Sequence, residues 1–256
     1  MKIDKKTIAF LKGKEFSDGY CFSIKDLFYS NTRIEKILEL TKDKKILHLG
    51  CCDHIPLIEK RIVENKWLHK LLTENCEKVL GIDINKNAID YVKNKIKFKN
   101  VKYLDILNEK KDEDILKNEW DYIVLGEILE HVDNPVEFLE KILKNYGENI
   151  KNILITVPNI LSTGRILEIK RNNGEMINSD HRYWFSPYTL LKVAERAGIK
   201  IENSNIYFTD LYIFNFFCLK KLYRIIEKLS NKKIFSYKFY DFATLIFIGN
   251  IKKNTK

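Results

Sequence analysis

The chain has 256 residues, of which 45% are hydrophobic and 31% charged, and it carries a formal net charge of +10. A chain of this length can bury an ample core, and its low content of proline and glycine argues against a linker-rich or disordered protein. Its lysines are scattered rather than gathered in one arm. Two interpretations of the charge stay open: a solvated surface, or a field that attracts an anionic acceptor or an anionic membrane surface.

The cysteines and the N-terminal segment indicate in which cellular compartment the protein is located. The five cysteines form no CxxC pair, and the neighbours Cys51 and Cys52 are poorly spaced for a disulfide or a zinc site. Reduced thiols predict a cytoplasmic protein. The N-terminal stretch lacks the apolar core of a signal peptide. The sequence contains no run of about 18 apolar residues, so no transmembrane segment is predicted. The histidines form no HxxxH or HxH pair, so no metal site is predicted.

The hydrophobic pattern predicts strands and helices that alternate along one domain, residues 1–256. Residues 1–44 are expected to form a helical leader whose helix begins near Thr32, because TRIE is a capping-box sequence. Strands are predicted at 45–50, 78–83, 101–105, 121–126, 152–158, 199–208 and 241–251. Further helices are predicted at 56–75, 85–96, 134–146 and 186–197, and a polar loop is predicted at 162–184.

The region 209–240 departs from this alternation, because it is a dense mixture of aromatic and basic residues before the last strand. Its segment 214–226 is hydrophobic nearly all round, which is too apolar for a free surface helix. Three interpretations stay open: a lid over the acceptor pocket, a homodimer interface, or a surface that rests on an anionic membrane. Residues 45–208 are predicted to form the cofactor-binding core.

Four of the predicted strands end in a glycine or an acidic residue, where a loop should begin. They lie in ILHLGCCDH (46–54), VLGIDIN (79–85), VKYLDIL (101–107) and DYIVLGEILEHVDNP (121–135). Parallel sheets that bind a nucleotide-like cofactor at the carboxyl ends of their strands are built in this way. Together the segments resemble the class I S-adenosylmethionine-dependent methyltransferases. VPN (157–159) and DHRYWFSP (180–187) resemble the members of this class that act on small molecules or surface glycans.

The resemblance implies an α/β, Rossmann-like class I methyltransferase fold. Its sheet would have seven mostly parallel strands, an antiparallel last strand beside the sixth, helices on both faces, and the aromatic and basic insertion before the last strand. It also implies S-adenosylmethionine as the cofactor and S-adenosylhomocysteine as the product. The methyl group of a sulfonium is already activated, so the protein must mainly align it with the acceptor and exclude water.

The strand-end residues are the candidates for binding this cofactor. Gly50 lacks a Cβ and lets the backbone approach the amino-acid portion closely. The carboxylate of Asp83 suits the two ribose hydroxyls. The resemblance pairs Asp105 with the adenine amino group and places Ile84 and Ile106 against the ring. Each aspartate alone is also typical of a helix cap, and that interpretation stays open.

The first loop departs from the DLGCGxG pattern that is common in the family. His48 stands in place of the acidic residue, and Cys52 and His54 stand in place of two glycines. We therefore expect altered contacts with the methionine end of the cofactor, where Cys51 and Gly126 are further candidates for cofactor binding. The alternative for the two cysteines is that they are small packing residues.

The segment after the fourth strand supplies candidates for catalysis. Glu127 lies where this strand opens into the cleft, and Glu130 and His131 lie on the following turn. One of these groups is expected to accept a proton from a substrate hydroxyl or amine, but the turn residues are equally suited to holding the backbone. His181 is the better candidate for a general base, because its loop should fold over the cleft and histidine titrates near neutral pH.

Arg182, Tyr183 and Trp184 are candidates for binding an anionic or sugar-like acceptor, with a loop anchored by aromatic residues as the alternative. The predicted function is methyl transfer to an oxygen or nitrogen of a small molecule, a sugar, or a nucleotide- or lipid-linked glycan. DNA is disfavoured as a substrate, because DPPY, NPPY and Pro-Cys sequences are absent. Two alternatives stay open: a cofactor-fold binding protein without catalysis, suggested by the altered first loop, and an RNA methyltransferase, suggested by the basic charge.

Overall fold

The computed structural model describes residues 3–23, 28–30, 32–107, 110–211 and 242–251. In these ranges the helices are α1 (Lys5–Leu11), α2 (Arg33–Thr41), α3 (Ile55–Val63), α4 (Leu68–Asn75), α5 (Lys86–Tyr91), α6 (Glu113–Leu116), α7 (Pro135–Tyr146), α8 (Thr163–Asn172) and α9 (Pro187–Arg196). The strands are β1 (Phe28–Tyr29), β2 (Lys45–Leu49), β3 (Lys78–Asp83), β4 (Val101–Tyr103), β5 (Trp120–Gly126), β6 (Ile150–Pro158), β7 (Lys200–Leu211) and β8 (Phe242–Asn250). A π-helical turn (Val92–Ile96) continues α5, and 3-10 turns lie at Leu129–His131 and Gly147–Asn149.

The strands form one sheet in the order β1-β7-β8-β6-β5-β2-β3-β4. β8 pairs antiparallel with β6 and β7, and the other strand pairs of this sheet are parallel. The predicted α/β fold with an antiparallel last strand beside the sixth predicted strand is therefore confirmed. The described sheet has eight strands rather than seven, because the two-residue strand β1 in the leader pairs with β7.

The chain order of the sheet reverses at β2. The chain continues from β2 to β3 and β4 on one side, whereas β5 and β6 lie on the other side. In open parallel sheets a ligand binds outside the carboxyl ends of the strands where the order reverses. The fold therefore favours a cofactor in the crevice after β2 and β5.

Successive residues of the central strands point to opposite faces, and both faces are buried. Leu47 and Ile123 pack on one face with α7 and α9, whereas Ile46 and Val124 pack on the other face with α2 and α4. Burial on both faces explains why these strands are continuous apolar runs in the sequence. Because each such side chain contributes roughly 1.5–3 kcal/mol on burial, the core holds the ends of these strands in fixed positions.

The predicted helix starts are confirmed by their caps. Each cap side chain accepts a hydrogen bond from the backbone N–H three residues on, which satisfies a donor that the helix leaves unpaired. The caps are Thr32 for α2, Asn85 for α5, Asn134 for α7 and Ser186 for α9. Gly198 follows α9 in the left-handed region, at φ +89°, as predicted for the end of this helix.

Two predictions about helices were wrong. The predicted helix 56–75 is two helices, α3 and α4, which are separated near Asn65, whose φ of +53° lies in the left-handed region. The predicted loop 162–184 contains α8, which Ser162 caps. Within α8 only Gly164 is buried, so the sequence lacks the buried apolar stripe from which a helix is predicted.

The predicted insertion 209–240 is described only at its beginning. Residues 209–211 belong to β7, and the predictions of a lid, a dimer interface or a membrane contact concern residues outside the described ranges. Across the described part of the chain, no helix is long and apolar enough to cross a membrane.

His48, which stands in place of the family's acidic residue, is buried against His69. The two rings stack, and their Nδ1 atoms are 3.2 Å apart, so one ring donates a hydrogen bond and the other accepts it. Burial lowers the pKa of His48 well below its usual value and lowers the pKa of His69 to about 4. Both rings are therefore neutral in the folded protein at neutral pH.

We predict that this histidine pair makes the stability of the fold decrease in acid. An unfolded histidine takes up a proton below about pH 6.5, whereas the pKa of folded His69 is about 4. Stability is therefore fully present above the unfolded pKa and is lost as the pH falls from about 6.5 toward the folded value. For His69 alone the free energy of unfolding decreases by about 2 kcal/mol between about pH 7.5 and pH 5.

Urea unfolding of the wild type and of His69→Gln at these two pH values measures the loss. The decrease in the free energy of unfolding should be about 2 kcal/mol smaller in His69→Gln. Ser179→Ala, which changes an exposed residue without a titratable group, should keep the wild-type pH dependence. Equal pH dependence in His69→Gln and the wild type would show that His69 does not contribute.

Candidate active site

Gly50 turns the chain sharply at the end of β2. Its φ of +65° lies in the left-handed region, and its N–H donates to the carbonyl of Ile82 at 2.8 Å. A Cβ at this position would overlap the side chain of Ile128, which follows β5. The turn and the side chain of Ile128 therefore require glycine here, and the close approach of its backbone to the cofactor stays a prediction.

Asp83 at the end of β3 joins the loops that follow β2 and β3. Its Oδ2 accepts a hydrogen bond from the N–H of Cys52 at 3.0 Å, and its Oδ1 accepts one from the N–H of Asn85 at 2.9 Å. Asn85 rather than Asp83 caps α5. Burial raises the pKa of Asp83. Each carboxylate oxygen keeps a second lone pair, so two ribose hydroxyls fit this group without loss of the backbone bonds.

The other residues predicted to contact adenosine differ in exposure. Ile84 is 69% exposed and accessible to an adenine ring, whereas Ile106 is 2% exposed and belongs to the core. Asp105 is exposed and lies beyond the end of β4. Its Oδ1 accepts a hydrogen bond from the N–H of Leu107 at 2.9 Å. Ile84 and Asp105 are therefore accessible to the base, while the side chain of Ile106 presents almost no surface.

Cys51 is buried beneath the first loop. Its carbonyl accepts a hydrogen bond from Nε1 of Trp67 at 3.2 Å, and its Sγ lies 3.9 Å from the Sγ of Cys52. Burial raises the pKa of the Cys51 thiol well above its usual value, so the thiol stays protonated. The side chain of Cys51 is therefore a packing group. The predicted contact of Cys51 with the cofactor stays a prediction and would use its backbone atoms.

Arg33 was not predicted at the site, yet it reaches the carboxyl end of β5. Its Nη1 donates to Oγ1 of Thr156 at 3.3 Å, and its Nη2 is 3.5 Å from a carboxylate oxygen of Glu127. A Cβ on Gly126 would stand 3.6 Å from Nη1 of Arg33. Glu127 itself has a φ of +59°, and its N–H donates to Thr156. The start of α2 therefore brings a positive charge to the end of β5, a contact that no sequence motif signals.

Glu130 lies in the turn after β5 and is 1% exposed. Neither of its carboxylate oxygens has a hydrogen-bond partner among the described residues. Burial raises the pKa of Glu130 to about 8. Its backbone carbonyl accepts hydrogen bonds from the N–H groups of Arg182 at 2.7 Å and Tyr183 at 3.3 Å. The backbone of Glu130 therefore joins the turn to the loop before α9.

The rings of His131 and His181, two of the predicted catalytic residues, meet edge to face with their centroids 4.6 Å apart. Nδ1 of His131 is 3.2 Å from the carbonyl oxygen of Asp180, so Nδ1 carries a proton and donates a hydrogen bond, and Nε2 is the nitrogen that can act as an acceptor. Nδ1 of His181 is buried and has no hydrogen-bond partner in the described ranges. Burial also lowers the pKa of His181.

Arg182, Tyr183 and Trp184 hold their loop in place. Nε of Arg182 is 2.7 Å from a carboxylate oxygen of Asp133, and the hydroxyl of Tyr183 donates to the carbonyl of Asp133 at 2.6 Å. The guanidinium of Arg165 lies over the ring of Trp184 at 4.9 Å. These contacts support the loop-anchoring interpretation, and binding of an acceptor by the three residues stays a prediction.

Two groups of side chains in the described ranges lie close enough to hold a metal ion. They are Cys51, Cys52 and Asp83, and Glu130, His131 and His181. In the first group the carboxylate is already bonded to two backbone N–H groups and the Cys51 thiol is protonated. The second group is the better candidate, and sequence spacing did not reveal it, because its members come from two distant segments.

The chain is similar to proteins of known family and known structure. A sequence profile of a methyltransferase domain matches residues 28–204. A solved S-adenosylmethionine-dependent methyltransferase from Archaeoglobus fulgidus is 19% identical with a TM-score of 0.51, over 85% of this chain and 91% of that one. A possible histamine N-methyltransferase from Thermotoga maritima is 13% identical with a TM-score of 0.53, over 86% and 87%.

The solved small RNA methyltransferase HEN1 is 17% identical with a TM-score of 0.53, over 93% of this chain and 27% of that one. No curated protein sequence gives a significant match. At these identities the solved structures establish the fold, which is that of the class I methyltransferases. The chain belongs to the methyltransferase-domain family and is an S-adenosylmethionine-dependent methyltransferase. The predicted cofactor and enzyme class are thereby confirmed, and a binding protein without catalysis is disfavoured.

We predict that Asp83→Ala weakens the binding of S-adenosylhomocysteine by about 1–3 kcal/mol, because buried polar groups lose their partner. Isothermal titration calorimetry of the wild type and the variant measures the change. Asp90→Ala, which removes the same charge from an exposed position of α5, should leave the affinity unchanged. Unchanged affinity in Asp83→Ala would show that this carboxylate only joins the two loops.

Arg33→Met should weaken the binding of S-adenosylhomocysteine about tenfold or more, because hydrogen bonds to charged groups contribute about 1.5–3 kcal/mol. The charge of Arg33 lies beside Gly126, where we expect the methionine carboxylate of the cofactor. 5′-Methylthioadenosine lacks this carboxylate and should bind the wild type and Arg33→Met equally. Lys42→Ala, at the exposed end of α2, is the control for charge. An equal loss of affinity for both ligands would contradict a contact between Arg33 and the carboxylate.

Proposed function

We propose that the chain transfers the methyl group of S-adenosylmethionine to an oxygen or nitrogen of a small molecule, a sugar, or a nucleotide- or lipid-linked glycan. The observation that carries the proposal is the joining of the turn 127–133 to the loop 180–185. This contact gathers Glu130, His131 and His181 after the end of β5. A hydroxyl or an amine loses a proton when it is methylated, and the two imidazoles are suited to accept it.

The mechanism requires mainly alignment and proton acceptance. The bound cofactor supplies a methyl group that is already activated as a sulfonium. Asp83 orients the ribose at the crevice, and the loop 180–185 covers the acceptor side and excludes water. Nε2 of His131 or Nδ1 of His181 accepts the proton of the acceptor. Glu127, held by Arg33, adds a negative charge near the ring of His181.

The net charge supports an anionic acceptor. With +10 formal charges, the protein raises the local concentration of anions through a field that salt screens. Nucleotide-linked sugars and uronic acids combine a negative charge with hydroxyl groups that can be methylated. We therefore place these compounds first among the acceptors and assign the chain to carbohydrate biosynthesis.

A panel of acceptors tests this class. The purified chain is incubated with methyl-tritiated S-adenosylmethionine and with nucleoside-diphosphate hexoses, free hexuronic acids, neutral sugars or total RNA. Methyl transfer to at least one sugar, with preference for the anionic ones, is the expected result. Transfer to RNA together with none to the sugars would overturn the proposed acceptor class.

RNA is the second candidate acceptor, and the net charge is the observation that favours it. An RNA-binding protein that neutralises several phosphates loses affinity steeply as salt increases. Fluorescence anisotropy of a labelled single-stranded RNA, measured over a series of salt concentrations, distinguishes this case. Binding with a steep salt dependence would favour RNA, and no binding at low salt would remove it.

His181→Ala should reduce kcat by about a hundredfold or more, whereas its affinity for S-adenosylhomocysteine should stay unchanged, because the ring lies with His131 rather than with Asp83. Turnover is measured with the best acceptor of the panel, and affinity by calorimetry. Ser179→Ala, an exposed change in the same loop, should keep wild-type turnover. Full turnover in His181→Ala would assign proton acceptance to another group.

A further inference from the structure

The group formed by Glu130, His131 and His181 has the composition of a metal site. One ligand atom of each side chain lies within 4.8 Å of the other two. Two imidazoles and one carboxylate are a donor set that proteins use for zinc and related divalent transition metals. Ligand atoms at about 2.0–2.2 Å from one ion lie roughly 3–4 Å from each other, so only small side-chain rotations separate this arrangement from a coordinating one.

The polar atoms of this group lack the partners that buried atoms normally have. Both carboxylate oxygens of Glu130 and Nδ1 of His181 are buried, and within the described ranges none of the three accepts or donates a hydrogen bond. Buried polar atoms are nearly always paired, because an unpaired one keeps the full cost of its desolvation. A cation between the side chains would satisfy all three atoms.

The surrounding contacts orient these side chains without using their binding atoms. Nδ1–H of His131 donates to the carbonyl of Asp180 at 3.2 Å, which directs the lone pair to Nε2. A backbone carbonyl on the second nitrogen is a common support for a histidine that binds a metal. The N–H of Arg182 fixes the loop to the carbonyl of Glu130 at 2.7 Å. The two segments that supply the ligands are therefore already locked together.

We propose that Glu130, His131 and His181 bind one divalent transition-metal cation of the zinc, cobalt or manganese class. Three protein ligands leave coordination positions open for a substrate. This part of the proposal rests on the proposed function. An acceptor with two adjacent oxygen donors, such as the vicinal diol of a sugar, would occupy the open coordination positions of the cation.

The cation would assist the methylation of one of these hydroxyls. With a cation bound, the two histidines hold the cation and do not act as bases. A hydroxyl on the cation would instead release its proton to solvent, more readily than a free hydroxyl does. Its oxygen forms the new bond to the methyl carbon while the bond from that carbon to sulfur breaks, and the electron pair stays on sulfur. The products are a methyl ether, S-adenosylhomocysteine and one proton.

Binding of Co²⁺ to the full chain, first freed of metal with EDTA, tests the site without a methyl acceptor. Calorimetry should give one Co²⁺ for each chain, together with the visible absorption bands of cobalt bound to nitrogen and oxygen. Glu130→Gln, which keeps the side-chain shape, and His181→Ala should each weaken binding about tenfold or more. His54→Ala removes an exposed histidine outside the group and should keep wild-type affinity. Circular dichroism and S-adenosylhomocysteine binding verify that each variant is folded.

Two results would overturn the metal site: no Co²⁺ binding up to about 1 mM, which corresponds to about −4 kcal/mol, or equal binding by the wild type, Glu130→Gln and His181→Ala. Methyl transfer to sugars that survives EDTA would accompany such a result if the proposed function is correct. Conversely, binding of one Co²⁺ that is lost in both variants supports the site, even if no sugar in the panel accepts a methyl group and the proposed acceptor class fails.

Discussion

Two hydrogen bonds to one carbonyl hold the acceptor side of this enzyme together. The N–H groups of Arg182 and Tyr183 donate to the carbonyl of Glu130, and thereby fix the loop before α9 on the turn after β5. The turn has a defined position because β5 lies in the middle of the sheet, between β2 and β6. His131 and His181 meet as a consequence, and the buried carboxyl group of Glu130 lies beside them.

The cofactor side is organised by a similar link, in which a side chain joins two loops. The carboxylate of Asp83 accepts hydrogen bonds from the N–H groups of Cys52 and Asn85. These bonds hold the loops after β2 and β3 at a fixed distance from each other. Arg33 lies beside the end of β5, where it pairs with Glu127, and its charge also acts on buried His48 and Glu130.

The fold and part of the site were predictable because local patterns determine them. Buried parallel strands require apolar runs, which are visible in the sequence. A helix cap such as Asn85 is also visible, because its side chain accepts a hydrogen bond from the N–H only three residues further along. The burial of Glu130, the pairing of His48 with His69 and the reach of Arg33 depend on contacts between distant segments, which no local pattern encodes. Helix α8 was missed because it buries little and so shows no apolar stripe.

A crystal structure of the chain with S-adenosylhomocysteine bound tests most directly the central claim, that one crevice holds the cofactor against the two histidines. We expect both ribose hydroxyls within hydrogen-bond distance of Asp83, the carboxylate of the ligand on Arg33, and the sulfur open toward His131 and His181. A nucleoside bound away from Asp83, or a sulfur that points away from both histidines, would contradict the claim.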